Sequence, residues 1–254
     1  MIRTEMESTA ARPSSSAAGR RVALYFAPLA ESALAVTAAR WLGRTAETAH
    51  DSGGLAVPGV PEHRLQRCRA APFHYGFHAT LKPPFQLRDG VTIDDLGHCV
   101  ERVCAVRRAV VLPPLQVAEL NDFICLRPVA PCLAIDRLAA DLVARLDWCR
   151  RPPDAAELAR RYRAGLSVRQ QQLLLRWGYP YVLDEFRFHL TLTGALTDNR
   201  ERAKLRRFLE ELFAEALQTA VVVDRVSLFI EDDGQPLILS AAYPLAAEGE
   251  SGPS

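Results

Sequence analysis

The sequence has almost no net charge, no long apolar run and no paired cysteine motif. Its 31 basic and 30 acidic residues leave a formal net charge of +1, which excludes the strongly basic face typical of proteins that bind long nucleic acids. No stretch approaches the ~20 apolar residues that cross a bilayer. None of the six cysteines stands in a C-x-x-C pair, so we expect free thiols, no structural zinc and a reducing cytoplasm.

Lysine is also scarce, since every basic residue except Lys82 and Lys204 is an arginine. A GC-rich coding bias is the simplest explanation, but it makes the positions of the two lysines notable. Hydrophobic residues make up 49% of the 254 positions, which is enough to build a core. The composition therefore indicates an ordinary globular protein rather than a fibrous or disordered one.

Strand and helix patterns alternate between a Ser- and Ala-rich leader at 1–19 and a tail at 246–254, both of which we expect to be disordered. We interpret residues 20–245 as a single bilobal domain. The predicted elements, in chain order, are a strand at 20–26, a helix at 32–42, a long loop at 43–72, a strand at 77–81, a helix at 93–106, strands at 110–120 and 123–127, helices within 133–150, 154–161 and 167–177, a strand at 186–193, a helix at 199–217 and a hairpin of 221–231 with 236–243.

A five-residue pattern occurs twice, as Phe-His-Ala-Thr-Leu at 77–81 and as Phe-His-Leu-Thr-Leu at 188–192. A chain of this composition is expected to contain only about 0.26 His-x-Thr matches by chance. Two matches are therefore informative, although a single match is not. Each copy is followed by a helix and a hairpin. The sequence therefore predicts a first repeat at about 76–128, a helical insertion at about 133–177 and a second repeat at about 186–243.

His78 and Thr80 project from the same face of a strand, as do His189 and Thr191, because side chains alternate along a strand. Imidazole titrates near neutral pH, so one histidine can accept a proton while the other donates one. Threonine hydroxyls can bind phosphate oxygens. A lone histidine on an apolar strand is more often a core residue, but a duplicated His-Thr pair favours metal-independent phosphodiester chemistry.

Here the sequence resembles the two-histidine (2H) phosphoesterase superfamily, and within it the DUF1045 family of phosphonate-metabolism proteins. The resemblance is carried by residues 75–85 (YGFHATLKPPF) and 187–194 (RFHLTLTG), with further matches at 23–28, 41–44 and 178–181. It implies an α+β fold with two pseudo-symmetric lobes of antiparallel sheet and flanking helices around a central cleft. It also implies hydrolysis of cyclic phosphodiesters. Thr45 stands where family members carry Asp, which leaves the role of that loop open.

Four further side chains are candidate substrate-binding residues: Lys82, Tyr25, Arg187 and Thr193. If the strand is regular, Lys82 shares a face with His78 and its ammonium can meet a phosphate; Thr193 holds the matching position in the second repeat. Arg187 precedes His189 by two residues, and Tyr25 would lie beside the cleft. The ordinary alternatives are a surface lysine, a solvated arginine and a core tyrosine.

The leading hypothesis is a monomeric cytoplasmic hydrolase, without metal or cofactor, that acts on a small cyclic phosphodiester such as a phosphoribosyl cyclic phosphate. His78 and His189 are its acid and base, in an order that the sequence leaves open, and Thr80 and Thr191 bind phosphate. A 2′,3′-cyclic phosphodiesterase for RNA ends is the first alternative, although the near-neutral charge does not favour nucleic acid. A non-catalytic phosphoryl-binding module is the second. A metal site built on His74 is disfavoured because no carboxylate stands at ligand spacing.

Overall fold

The computed structural model describes residues 19–163 and 165–246, and within them the chain forms nine strands and seven α-helices. The strands are β1 (Arg21–Phe26), β2 (Ala79–Phe85), β3 (Val110–Val111), β4 (Leu115–Leu120), β5 (Phe123–Pro128), β6 (Leu190–Thr191), β7 (Val222–Val223), β8 (Arg225–Glu231) and β9 (Ile238–Pro244). The helices are α1 (Ala33–Leu42), α2 (Glu62–Tyr75), α3 (Ile93–Ala105), α4 (Leu133–Arg145), α5 (Ala155–Tyr162), α6 (Val168–Trp177) and α7 (Asn199–Phe213).

Seven of the strands form one antiparallel sheet in the order β4-β5-β6-β2-β1-β8-β9, and β3 pairs with β7 separately. The hairpin β4–β5 of the first predicted repeat pairs with β6 of the second. The hairpin β8–β9 of the second repeat reaches β2 of the first through β1. The α+β class is confirmed, and the sheet is continuous across both halves of the molecule.

Helices α1, α3, α4 and α7 cover one face of this sheet. Their buried side chains join a single apolar cluster with the residues that point from the strands to that face, among them Leu24, Ala79, Leu126, Leu190 and Leu228. We call this the helical face. Alternation along each strand sends the intervening residues, including Tyr25 and Thr80, to the opposite face. That second face carries the two His-x-Thr pairs.

Local signals fix most helix ends as the sequence predicts. Ser32 accepts a hydrogen bond from the Ala35 N–H at the start of α1, and Gly43, with φ of 82°, ends that helix in the left-handed region. Thr92 and Asp95 form a reciprocal capping box on α3. Turn chemistry is equally local, since Asn121 (φ 54°) lies in the tight connection between β4 and β5.

Several predicted boundaries are wrong for identifiable reasons. The loop predicted at 43–72 contains most of α2, whose apolar residues lack helical spacing and which holds Pro72 internally. The strand predicted at 110–120 is divided into β3 and β4 around Pro113 and Pro114. The strand predicted at 186–193 pairs only at Leu190–Thr191. Residues 1–18 and 247–254 of the predicted leader and tail lie outside the described residues.

The six cysteines are unpaired, and four of them are buried. No helix within the described residues has the length and hydropathy needed to cross a bilayer.

Candidate active site

The two His-x-Thr segments lie side by side at the centre of the sheet. Strands β2 and β6 are antiparallel neighbours in which Ala79 is paired with Leu190. Both of these residues are fully buried on the helical face. Their neighbours therefore project to the other face, and continuing the register by one residue sets His78 beside Thr191 and Thr80 beside His189. We call the sheet surface that carries these four side chains the histidine face.

Both imidazoles are oriented by the same backbone contact. His78 Nδ1 lies 2.9 Å from the Gly76 carbonyl oxygen, and His189 Nδ1 lies 2.6 Å from the Arg187 carbonyl oxygen. Because a carbonyl can only accept, each Nδ1 carries a proton and donates it. In the neutral form, each Nε2 consequently keeps a lone pair. The two repeats thus present the same nitrogen for proton transfer.

His78 is the more enclosed of the two histidines, with 9% of its surface exposed. Its ring stacks on the Tyr25 ring, with centroids 3.6 Å apart and planes 15° apart. Its Nε2 lies 3.2 Å from the Thr80 hydroxyl, which donates to the lone pair. Burial lowers the pKa of His78 to about 3, and the nearby charge of His189 contributes to the lowering. His78 is therefore neutral at pH 7.

His189 is half-buried against the Phe123 ring, at a centroid distance of 5.6 Å. Burial also lowers its pKa, and the positive charge of Arg127 acts in the same direction. Within the described residues, neither His189 Nε2 nor the Thr191 hydroxyl has a hydrogen-bond partner. The second repeat thus leaves both groups available to a ligand, whereas in the first repeat Thr80 is bonded to His78.

Tyr25 lies directly beneath the first histidine rather than on the cleft surface. Only 1% of its surface is exposed, and its ring contacts both His78 and Phe229. Burial raises its pKa well above the usual value. The structure therefore gives Tyr25 the role of a platform that holds His78, which differs from the substrate contact expected from the sequence.

Lys82 does not lie on the histidine face, contrary to the expectation for a regular strand. The register shifts between the pairs Tyr25–Thr80 and Leu24–Lys82, because Leu81 is an extra residue in β2. This bulge turns Lys82 to the face of Leu24, where α4 packs. Its Nζ donates to the Val143 carbonyl, 3.3 Å away, in the last turn of α4.

The surroundings of Lys82 leave it almost no exposure to solvent. The residue is 2% exposed, its Nζ lies 4.9 Å from the centroid of the Phe85 ring, and burial lowers its pKa to about 8. The adjoining cavity measures about 20 Å³, room for roughly one water molecule. Lys82 is therefore a cation at the negative end of α4, and the cavity beside it is too small for a phosphate.

Thr193 and Arg187 are also engaged by the protein itself. Thr193 is completely buried, and its hydroxyl accepts a hydrogen bond from the Ile124 N–H at 2.9 Å. Arg187 is exposed, and its guanidinium donates to the carbonyls of Asp184 and Phe186. Thr193 is thus buried among its own neighbours, and Arg187 is anchored to its own loop.

Arg127 is a residue of the histidine face that the sequence analysis did not identify. Strands β5 and β6 pair Cys125 with Thr191 and Leu126 with Leu190, so the next position sets Arg127 beside His189. The side chain is half-buried, and within the described residues its guanidinium makes no hydrogen bond or ion pair. Only the register between distant strands reveals this neighbour, since Arg127 precedes His189 by more than sixty positions.

Within the described residues, no group of three or more His, Cys, Asp or Glu side chains is arranged to hold a metal ion. His74, the histidine nearest the first motif in sequence, joins an ionic cluster with Glu231 and Arg21. Its Nε2 lies 3.4 Å from a carboxylate oxygen of Glu231, which also pairs with Arg21 at 2.5 Å. His74 thus has a structural partner.

Comparison with known proteins identifies a family. Residues 80–238 match the family model described as "Protein of unknown function (DUF1045)". The chain belongs to the DUF1045 family. The matched segment of this DUF1045 protein begins at Thr80 and includes Arg127, His189 and Thr191, while His78 lies two residues before it.

Two curated relatives carry the name "Ribose 1,5-bisphosphate phosphokinase PhnN". The relative from Janthinobacterium sp. (strain Marseille) is 37% identical over 234 residues, which cover 91% of this chain and 52% of the relative. The relative from Laribacter hongkongensis (strain HLHK9) is 34% identical over 214 residues, covering 84% of this chain and 48% of the relative. The DUF1045 chain therefore spans about half the length of the curated relatives it matches.

Proposed function

We propose that this DUF1045 protein is a metal-independent phosphodiesterase of the two-histidine type, which opens a small cyclic phosphodiester. The observation that carries the proposal is the pairing of β2 with β6, which sets two His-x-Thr segments side by side in opposite directions. A phosphate that approaches the histidine face meets two imidazoles and two hydroxyls at once. Such a set matches the needs of phosphodiester hydrolysis, in which one proton is removed and one is supplied.

In the proposed step, one histidine accepts a proton and the other donates one. Nε2 of the neutral imidazole accepts a proton from water as the water oxygen bonds to phosphorus. Nε2–H of the other, protonated imidazole donates its proton to the ring alkoxide as that P–O bond breaks. The product is a phosphate monoester, and hydrogen bonds from the threonine hydroxyls offset the charge on the non-bridging oxygens.

Substrate binding supplies the protonation state that this step needs. Burial lowers the pKa of both His78 and His189, which disfavours the imidazolium form of each. A phosphodiester anion between the rings favours the charged form and raises both pKa values. When His78 is the protonated histidine, its Nε2 no longer accepts from Thr80, so the Thr80 hydroxyl is free to donate to the substrate while Nε2–H faces the ring alkoxide.

The order of strands supports the two-histidine assignment beyond the motifs. On one side of the centre, β6 of the second repeat is followed by the hairpin β5–β4 of the first. On the other side, β2 of the first repeat is followed by β1 and then by the hairpin β8–β9 of the second, so β1 has no counterpart. We propose a local pseudo-twofold axis between Ala79 and Leu190 that relates the two motif strands.

The names of the relatives guide the proposed substrate. Those names refer to ribose 1,5-bisphosphate, a sugar that bears two phosphates. We propose that the substrate is a related ribose whose phosphodiester is closed into a ring, in phosphonate catabolism. The kinase activity in the name is not supported by this chain's residues, since a phosphate-binding loop ends in Gly-Lys. Here, Lys82 follows Leu81 and Lys204 follows Ala203.

The proposal is tested by turnover of cyclic phosphates. Purified protein in EDTA is incubated with ribose 1,2-cyclic phosphate 5-phosphate and with nucleoside 2′,3′-cyclic phosphates, and phosphorus NMR reports ring opening. We expect His78→Ala and His189→Ala each to lower kcat at least about 10²-fold, which is typical of losing a general acid or base. His98→Ala, at an exposed histidine of α3, should leave it unchanged.

Folded variants with turnover near that of the wild type would refute the mechanism, with circular dichroism establishing that they are folded. Turnover of the nucleoside 2′,3′-cyclic phosphates alone would refute the ribose substrate and favour a phosphodiesterase that acts on RNA ends. Activity that is lost in EDTA and restored by Zn²⁺ would overturn the metal-independent step.

A further inference from the structure

A polar row crosses the histidine face from the outer strand to the centre. Register pairs Gln116 with Arg127 between β4 and β5, and continued registers set Arg127 beside His189 and His189 beside Thr80. Residues directly opposite on neighbouring strands have Cβ atoms about 5 Å apart. The guanidinium of Arg127 can therefore reach a ligand that lies over the His189 ring or one that lies beside it, on the side of β5.

Within the part of the chain that the structure describes, the charge of Arg127 has no partner. The side chain is half-buried, and within residues 19–163 and 165–246 no carboxylate or carbonyl accepts from it. Other arginines close to the site differ in this respect: Arg44 donates to the carbonyls of Phe73 and Leu237, and Arg187 donates to its own loop. A partly desolvated guanidinium with five free donors is suited to a bidentate anion.

On the opposite side of the histidine face, the arginines within the described residues already have partners: Arg44 donates to carbonyls and Arg21 pairs with Glu231. Beyond Thr80, the same row continues to Tyr25 and Ser227. Tyr25 packs in an apolar cluster with Phe229, and the ion pair of Arg21 with Glu231 lies nearby. Lys82, which the sequence suggested for a second phosphate, is buried on the helical face. Among the described arginines near the two histidines, Arg127 on β5 is thus the one whose guanidinium is left to bind an anionic group at a distance from the reacting phosphorus.

We propose that Arg127 binds a second anionic group of the substrate, such as a phosphate or phosphonate, next to His189. The proposal rests on the proposed function, because it takes the phosphodiester to lie between His78 and His189. The inferred substrate class is therefore narrower than small cyclic phosphodiesters in general. It is a cyclic phosphodiester that bears a further phosphoryl or phosphonyl group. Arg127 is then the specificity-determining residue, and Gln116 lies within reach of the same group.

Turnover of two matched substrates tests the specificity. Arg127→Gln and Arg127→Lys are compared with the wild type on ribose 1,2-cyclic phosphate with and without a 5-phosphate. We expect Arg127→Gln to lower kcat/KM about 10- to 100-fold for the 5-phosphorylated compound, as for loss of a charge-assisted contact. The compound without the 5-phosphate should change less than about 3-fold, and Arg127→Lys should be intermediate.

Arg207→Gln is the control, since Arg207 is an exposed arginine of α7 paired with Glu211. It should leave both substrates unchanged. An equal loss on both substrates would overturn the proposal, because it would place Arg127 on the reacting phosphate. No loss on either substrate would overturn it as well.

Equilibrium binding separates this inference from the proposed function. Calorimetry measures the Kd of ribose 1,5-bisphosphate and of ribose 5-phosphate for the wild type and for Arg127→Gln. This measurement does not depend on turnover. We expect the bisphosphate Kd to rise about 10-fold or more in the variant, and the monophosphate Kd to change less. That result together with an inactive wild type would refute only the phosphodiesterase proposal. Unchanged bisphosphate binding in Arg127→Gln would refute the role of Arg127, whatever the turnover.

Discussion

His78 is a buried imidazole that the fold keeps neutral, and this lowers the stability of the folded protein at acidic pH. Its pKa is lowered to about 3 by burial, whereas an imidazole in the unfolded chain titrates near 6.5. Between these values, the unfolded chain binds a proton that the folded chain does not. The free energy of unfolding therefore falls as the pH drops below about 6.5.

We predict that the wild type loses about 2 kcal/mol more stability than His78→Phe between pH 7 and pH 5, as linkage at one such site requires. Phenylalanine retains a ring against Tyr25 but cannot take up a proton. Urea unfolding at both pH values gives the comparison. His189, whose pKa is also lowered, contributes equally to both proteins and cancels. Parallel losses in the two proteins would show that His78 is not held neutral.

The sequence located four of the central side chains because they belong to a duplicated motif whose alternation is local. It could not assign Lys82 correctly, since the bulge at Leu81 depends on how β2 pairs with β1. It could not find Arg127 either, because that neighbour of His189 is set by the register of β5 against β6. Registers between distant strands are not encoded in spacing along the chain.

The junction between α2 and β2 sets the first histidine. Gly76 ends α2 with φ of 76° and ψ of 171°, a region that only glycine adopts readily, and its carbonyl accepts from His78 Nδ1. An alanine Cβ would meet ordinary contacts at 3.6 Å, so the strain at this position is in the backbone. Relaxing that strain would move the carbonyl that orients the imidazole.

We predict that Gly76→Ala lowers stability by about 1 to 3 kcal/mol and lowers kcat as well, because His78 loses its fixed orientation. Gly90→Ala is the matched control: Gly90 has φ of 80°, with no atom within 4 Å of an added Cβ. It should lose stability with kcat unchanged. Thermal unfolding and turnover on a cyclic phosphate measure both effects. Equal kcat in the two variants would show that the Gly76 carbonyl does not orient His78.

Elements were predictable from the sequence where their signals are local. Capped helices such as α1 and α3 and the hairpin β4–β5 carry those signals in adjacent residues. Helix α2 does not, because tertiary contacts rather than amphipathic spacing hold it: Arg44 donates to the Phe73 carbonyl, and the Leu237 N–H donates to the His74 carbonyl. Strand β6 is only two residues long, and it forms because β2 and β5 flank it.

At the scale of the sheet, the hairpin of each predicted repeat lies on the side of the other repeat's motif strand. Strand β1 lies between β2 from the first repeat and β8 from the second, while β6 lies between β2 and β5. A division of the chain near residue 130 would therefore separate β1 from β8 and β5 from β6. Apolar residues of these strands that pack in one core, such as Leu126 and Leu228, would then be left on incomplete sheets with exposed edges.

We predict that the fragments 19–130 and 131–246 each fail to fold alone and that they associate into an active complex when refolded together. Neither fragment contains a complete side of the sheet, and the His78 and His189 motifs are divided between them. Circular dichroism should show no cooperative thermal transition for either fragment, and a transition for the mixture. Turnover should appear only in the mixture. A cooperative transition in either fragment alone would mean that its repeat is an autonomous lobe, and that the hairpin of the other repeat is not what stabilises the central pair β2–β6.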